Sequence, residues 1–188
     1  MCASIQPLET HAHLLILQHP QEPDKDLGTA RLTHLSLPNS TLKIGLSWPN
    51  LKKALGREVN ASQWAVLYLG SGIKGEATSS PLQFVNKKGN PTPAPKNIEG
   101  LVILDGTWSQ AKALWWRNAW LLKLNRAILN SPKKSLYREL RKEPRKECLS
   151  TLESAAEALV TLGEPPAVGD QLRNLFNQLL DKKRSEKN

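Results

Sequence analysis

The stretch "LVILDGTWSQAKALWW", Leu101 to Trp116, holds the residues best placed to do chemistry. An apolar run ends on a lone carboxylate, Asp105, and Gly106, Thr107 and Trp108 follow. A carboxylate at a strand end can accept a proton, orient a polar substrate edge, or satisfy nearby loop amides. Thr107 has a plainer role, because with Gln110 three residues on it has the spacing of a capping box. The helix it starts presents N–H groups and a positive dipole end to any anionic group. The cap accounts for Thr107 and leaves Asp105 without a local structural role.

Two more strand ends carry polar or flexible residues. One is "QHPQEP", after Leu17. The other is "YLGSGIKGE" (68–76), whose three glycines let a ligand approach the backbone. It is neither a dinucleotide nor a phosphate-loop fingerprint. His11, His13, His19 and His34 lack ligand spacing on a helix, and Cys2 and Cys148 are too few for zinc, so no metal site is expected.

The elements that must position these residues are legible as pattern. "HLLILQ" (13–18), "WAVLYLG" (64–70), "LVILD" (101–105) and "RAILN" (126–130) are continuous apolar runs. Such runs predict parallel strands covered on both faces. Trp108, Ala111, Trp115, Ala119 and Leu122 form one helix stripe, with Trp116 and Trp120 off it. "STLESAAEALVTL" opens with a capping box from Ser150 to Glu153. "DQLRNLFNQLLDKK" predicts a last helix over about 170–183, with Asp170 as its cap. Residues 86–100 are Pro/Gly-rich and 19–32 polar, and both read as loops. The alternation predicts an α/β fold, a mostly parallel sheet flanked by helices, with ligands beyond the carboxyl strand ends. At 188 residues one domain is expected, with a frayed basic tail.

The net charge is +9, more than a fold requires, and it points to a polyanionic partner. From Lys123 to Glu147 nine Lys or Arg face three Glu. No secretory signal or membrane span is expected, since the apolar run Leu14 to Leu17 is too short. The reducing cytoplasm is the expected compartment. Residue patterns alone thus give a basic α/β protein with a ligand cleft near Gly70 and Asp105, and leave the reaction open.

Beyond the single motifs, "LDGTWSQAK", "LLILQHPQE", "GTARL", "LYLGSG", Ser135-x-Tyr137-Arg138 and "CLSTLESAAEAL" occur in an order that resembles the DTW-domain family. The similarity runs from about residue 11 to about 162. The resemblance implies a SPOUT-like fold with a C-terminal trefoil knot. It implies a tRNA-uridine aminocarboxypropyltransferase that uses S-adenosylmethionine as group donor. Carried onto this chain, Asp105, Thr107 and Trp108 are the candidate catalytic residues. Leu69, Gly70, Ser71, Leu104, Gly106, Ser150 and Thr151 join them around the cofactor. Arg31, Lys133, Lys134, Tyr137, Arg138, Arg141 and Lys142 are the candidate tRNA contacts. Many bacterial members begin with a cysteine-rich segment, of which only Cys2 has a counterpart here. A SPOUT-like RNA methyltransferase and a non-catalytic RNA-binding protein are the rival readings.

Overall fold

The computed structural model describes residues 5–23, 28–67, 80–130 and 149–185. Its centre is a six-stranded sheet of β1 (His13–Gln18), β2 (Ser40–Ile44), β3 (Trp64–Leu67), β4 (Leu82–Val85), β5 (Gly100–Asp105) and β6 (Asn125–Leu129). The spatial order is β2-β1-β5-β3-β6-β4. Five strands run parallel, and β4 pairs antiparallel with β6 at one edge.

Alternation along the central strands sorts the core into two faces. Leu14, Ile16, Leu101 and Ile103 share a cluster with residues of three helices: α1 (Thr29–Ser36), α4 (Thr151–Thr161) and α5 (Pro166–Ser185). Leu15, Leu17, Val102 and Leu104 pack on the other side, with α2 (Leu51–Leu55), α3 (Trp108–Arg117), Trp64 and Trp120. Covering both faces is why β1 and β5 are apolar at nearly every position. In α4, Ala155, Ala156 and Ala158 are fully buried, and these small side chains let it sit close to sheet and neighbouring helices. Among the described residues, no helix is long and apolar enough to cross a membrane.

Several expectations need correction. The sheet is mostly parallel as its apolar runs predict, but β2 and the antiparallel β4 were not expected, because edge strands this short carry little pattern. The polar stretch 19–32 is not loop throughout. It ends in α1, whose Ala30, Leu32 and Thr33 are buried while Arg31 faces solvent. The last helix begins at Pro166 rather than after Asp170; proline suits the first helical position, where its missing N–H costs nothing. The tryptophan helix stops at Asn118. There the side-chain amide donates to Leu114 O (2.7 Å) and Leu46 O (3.0 Å), and its oxygen accepts from Trp48 N (2.8 Å). A buried Asn bonded across to another loop ends the helix. The chain then tightens into a 3-10 turn, Ala119–Lys123, which buries Trp120 and leaves Ala119 and Leu122 outside.

Gln83 in β4 is buried, yet neither its amide nitrogen nor its oxygen has a hydrogen-bond partner among the described residues. Such a group carries its desolvation cost uncompensated. Gln83→Met should therefore stabilise the fold by about 1–2 kcal/mol. The check is a urea midpoint that rises at constant slope.

His13 opens β1 between Asn39 Oδ1 (2.7 Å) and Thr41 Oγ1 (2.9 Å), with its ring 5.8 Å from that of Trp64. Burial, chiefly, lowers its pKa from 6.5; Arg57 and His34 add to this, and the bond to Asn39 opposes it. The unfolded chain takes up a proton that the folded ring resists. The stability it contributes is present above pH 6.5 and is lost as pH falls through the lowered folded value. Unfolding measured between neutral and mildly acid pH should show that decline, and His13→Gln should flatten it.

Candidate active site

The register of β1 on β5 sets Gln18 beside Asp105 at the carboxyl ends of the two central strands. Alternation turns both side chains toward the α1/α4/α5 face, because Leu17 and Leu104 pack on the other. Gln18 Nε2 donates to Asp105 Oδ2 at 2.8 Å. The hydroxyl of Thr151, first residue of α4, donates to Asp105 Oδ1. One carboxylate on β5 thus bonds to the end of β1 and to a helix start. Its own backbone oxygen accepts from His19 N at 3.0 Å, which extends the ladder into the "QHPQEP" loop.

The turn after Asp105 is tight. A Cβ on Gly106 would lie 2.9 Å from Gln110 Cβ and 3.4 Å from His19 Cβ, so no larger residue fits without displacement. Thr107 caps α3 as its spacing predicts. Its Oγ1 accepts from Gln110 N (3.4 Å), and Gln110 Oε1 accepts from Thr107 N (2.6 Å). Gln110 also donates to Gln21 Oε1 at 3.1 Å, which ties the loop after β1 to α3. Ser150 and Glu153 make the same reciprocal cap on α4, at 3.1 and 2.9 Å. Two helix N-termini therefore stand at one end of the sheet, each capped by its own side chains.

Of the remaining candidates, Trp108 is half-buried at the first turn of α3, with Lys112 Nζ 5.5 Å from its ring centroid. The Leu104 side chain lies in the opposite core, so only its backbone faces this end. Arg31 is exposed on α1 and makes no hydrogen bond or ion pair with Asp105 among the described residues. Leu69, Gly70, Ser71, Lys133, Lys134, Tyr137, Arg138, Arg141 and Lys142 lie outside the described residues.

Gln18 is the site residue that sequence reasoning passed over. It stands 87 positions from Asp105 in the chain. The available signal was a polar residue closing an otherwise apolar strand. The structure also gives Asp105 a tie between elements that no local pattern reveals.

Fold and site together define an α/β protein with a carboxylate and two capped helix starts at the carboxyl edge of a mostly parallel sheet. The DTW domain model matches residues 1–184, and the chain belongs to that family. It is 31% identical over 171 residues to tRNA-uridine aminocarboxypropyltransferase 2 of Mus musculus, covering 89% of this chain and 53% of that protein. The protein of the same name from Drosophila melanogaster is 32% identical over 170 residues, covering 88% and 62%. That from Macaca fascicularis is 33% identical over 159 residues, covering 83% and 49%. The chain spans about half the length of the curated relatives it matches. No solved structure gives a significant match.

Thr151→Val keeps the shape of the side chain and removes the donor to Asp105. It should cost about 1.5 kcal/mol, the low end for a hydrogen bond to a charged group. Thr151→Ser should retain most of the wild-type stability. Chemical denaturation of the two variants side by side makes the comparison.

Proposed function

We propose that this chain transfers the 3-amino-3-carboxypropyl group of S-adenosylmethionine to N3 of a tRNA uridine. The observation that carries this reading is the similarity to relatives of that name, which covers 83–89% of this chain. The chemistry of the sheet edge agrees with it. The hydroxyls of Thr107, Ser109 and Ser150, with two helix N-termini, suit an anionic carboxylate. Trp108 offers an apolar wall for an adenine ring, and Lys112 already lies over one region of its surface.

When bound, S-adenosylmethionine supplies an electrophilic carbon on its methionine-derived arm, and 5′-methylthioadenosine is the by-product. Uridine N3–H must lose its proton for N3 to attack, and Asp105 is the group we assign to accept it. Gln18 and Thr151 fix the plane of that carboxylate, and so the direction from which a proton reaches it. Thr107 and the start of α3 hold the arm's carboxylate, and Ser150 and Thr151 close the pocket from α4. Leu69, Gly70, Ser71, Leu104 and Gly106 belong to the same cofactor pocket in this reading. Positioning of this kind supplies most of the rate. Arg31 and the basic residues Lys133, Lys134, Arg138, Arg141 and Lys142, with Tyr137, contact the tRNA. The same reading includes a SPOUT-like architecture with a C-terminal trefoil knot, within a single DTW domain over 1–188. The mostly parallel sheet with helices on both faces supports the α/β part of that architecture.

Incubation of pure protein with S-adenosylmethionine and unmodified tRNA should yield acp3U and methylthioadenosine by mass spectrometry. S-adenosylhomocysteine with a methylated base would overturn the reading in favour of methyl transfer. Asp105→Asn preserves the shape, and Gln18 can turn its amide to meet the new donor. Its single-turnover rate should fall by about 10²–10⁴. A folded Asn variant at near wild-type rate removes Asp105 from the role of base.

A further inference from the structure

Trp116 is 76% exposed, although it sits in the last turn of a regular helix. It falls in line with Lys112 and Trp108 at intervals of four, so the three form one stripe along α3. Eight residues at the rise of an α-helix put Trp116 about 12 Å from Trp108. From Gly106 to Asn130 the sequence holds Lys112, Arg117, Lys123 and Arg126, and no acidic side chain.

Past Asn118 the chain runs through the 3-10 turn to Leu122–Arg126, which line an open groove of about 360 Å³. Its polar lining among the described residues is Asn86, Lys87, Thr92, Lys123, Asn125 and Arg126, again without a carboxylate. Leu122, 40% exposed, forms part of its apolar wall. Topology fixes where this lies. The α3 helix leaves the carboxyl end of β5, and the chain re-enters the sheet at the amino end of β6. The stripe therefore leads away from the Asp105 edge toward the other end of the sheet.

We propose that this stripe and groove form a docking track for unpaired RNA, with Trp116 as a stacking platform and Lys87, Lys123 and Arg126 as phosphate contacts. The proposal rests on the aminocarboxypropyl-transfer reading and deepens it. Uridine N3 is the Watson–Crick donor of its base, so a target uridine must be unpaired, and its neighbours then have faces free to stack. A solvent-facing indole with cations and no carboxylate in its own stretch of chain or, among the described residues, in the groove lining is the combination that holds single strands. A duplex would use the cations and leave the indole idle. The charge also disfavours a basic protein partner, a second copy of this chain included.

The test is tRNA affinity of the full chain without S-adenosylmethionine. Trp116→Ala should raise the Kd roughly tenfold, the lower range for loss of one stacked base, and Trp116→Phe should restore most of the affinity. Lys87→Glu with Lys123→Glu should weaken binding and reduce the salt dependence by roughly two phosphate contacts. S-adenosylmethionine binding by calorimetry should be unchanged in all three. Unaltered tRNA affinity in Trp116→Ala overturns the track. So does a loss of self-association with tRNA affinity intact, which would assign the face to protein contact. If these affinities shift as stated while the wild type makes no acp3U, the track stands and the reaction assignment falls.

Discussion

The Asp105 side chain takes one hydrogen bond from Gln18 and another from Thr151, and much of the architecture bears on that arrangement. The first bond requires β1 and β5 to pair in a single register, since a slip by one residue would turn Gln18 into the opposite core. The second requires α4 to begin against the end of β5, which the small buried face of α4 permits. Residues from near 18, 105 and 151 meet only when the sheet and its first helical layer are both assembled. The carboxylate is therefore positioned by the completed fold and not by its own loop.

That dependence explains which features the sequence revealed. Strands β1, β5 and β6 were legible because burial on two faces demands unbroken apolar runs, and their observed bounds agree with those runs to within a residue. The start of α4 was legible because a capping box is a contact between residues three apart. Features set by distant partners were not. Asn118 ends α3 through bonds to Leu46 and Trp48, some 70 positions earlier. The tie between Gln18 and Asp105 spans 87 positions. Edge strands β2 and β4 are short, and α1 reads as loop because it buries polar Thr29, Thr33 and Ser36 and exposes Leu35, against the usual pattern.

The same division separates the two aromatic residues that lay off the helix stripe. A continuous helix would have placed Trp116 and Trp120 on one exposed edge. The break at Asn118 separates them: Trp120 goes inward and donates its Nε1–H to Trp48 O at 3.0 Å. Trp116 stays on the last helical turn and remains outside. A buried amide thus decides the fate of two indoles. The exposed one keeps its ring in water, available to whatever meets that face.

Both helix starts at the candidate site satisfy themselves. Ser150 with Glu153, and Thr107 with Gln110, fill backbone N–H donors that would otherwise await a ligand. A site whose helix ends relied on the cofactor for their hydrogen bonds would be strained without it and would reorganise on binding. Here the caps hold the geometry in advance, while the dipoles of both helices still favour negative charge at their ends. Asp105 is a resident anion that uses this field, and the carboxylate of an incoming aminocarboxypropyl arm would need the same field. Two anions at one edge repel unless each has its own donors. Gln18 and Thr151 serve the first; in the proposed reading the α3 start, with Thr107 and Ser109, would take the second. Under the proposed reading, that separation would set the arm and the proton acceptor on different sides of the Gly106 turn.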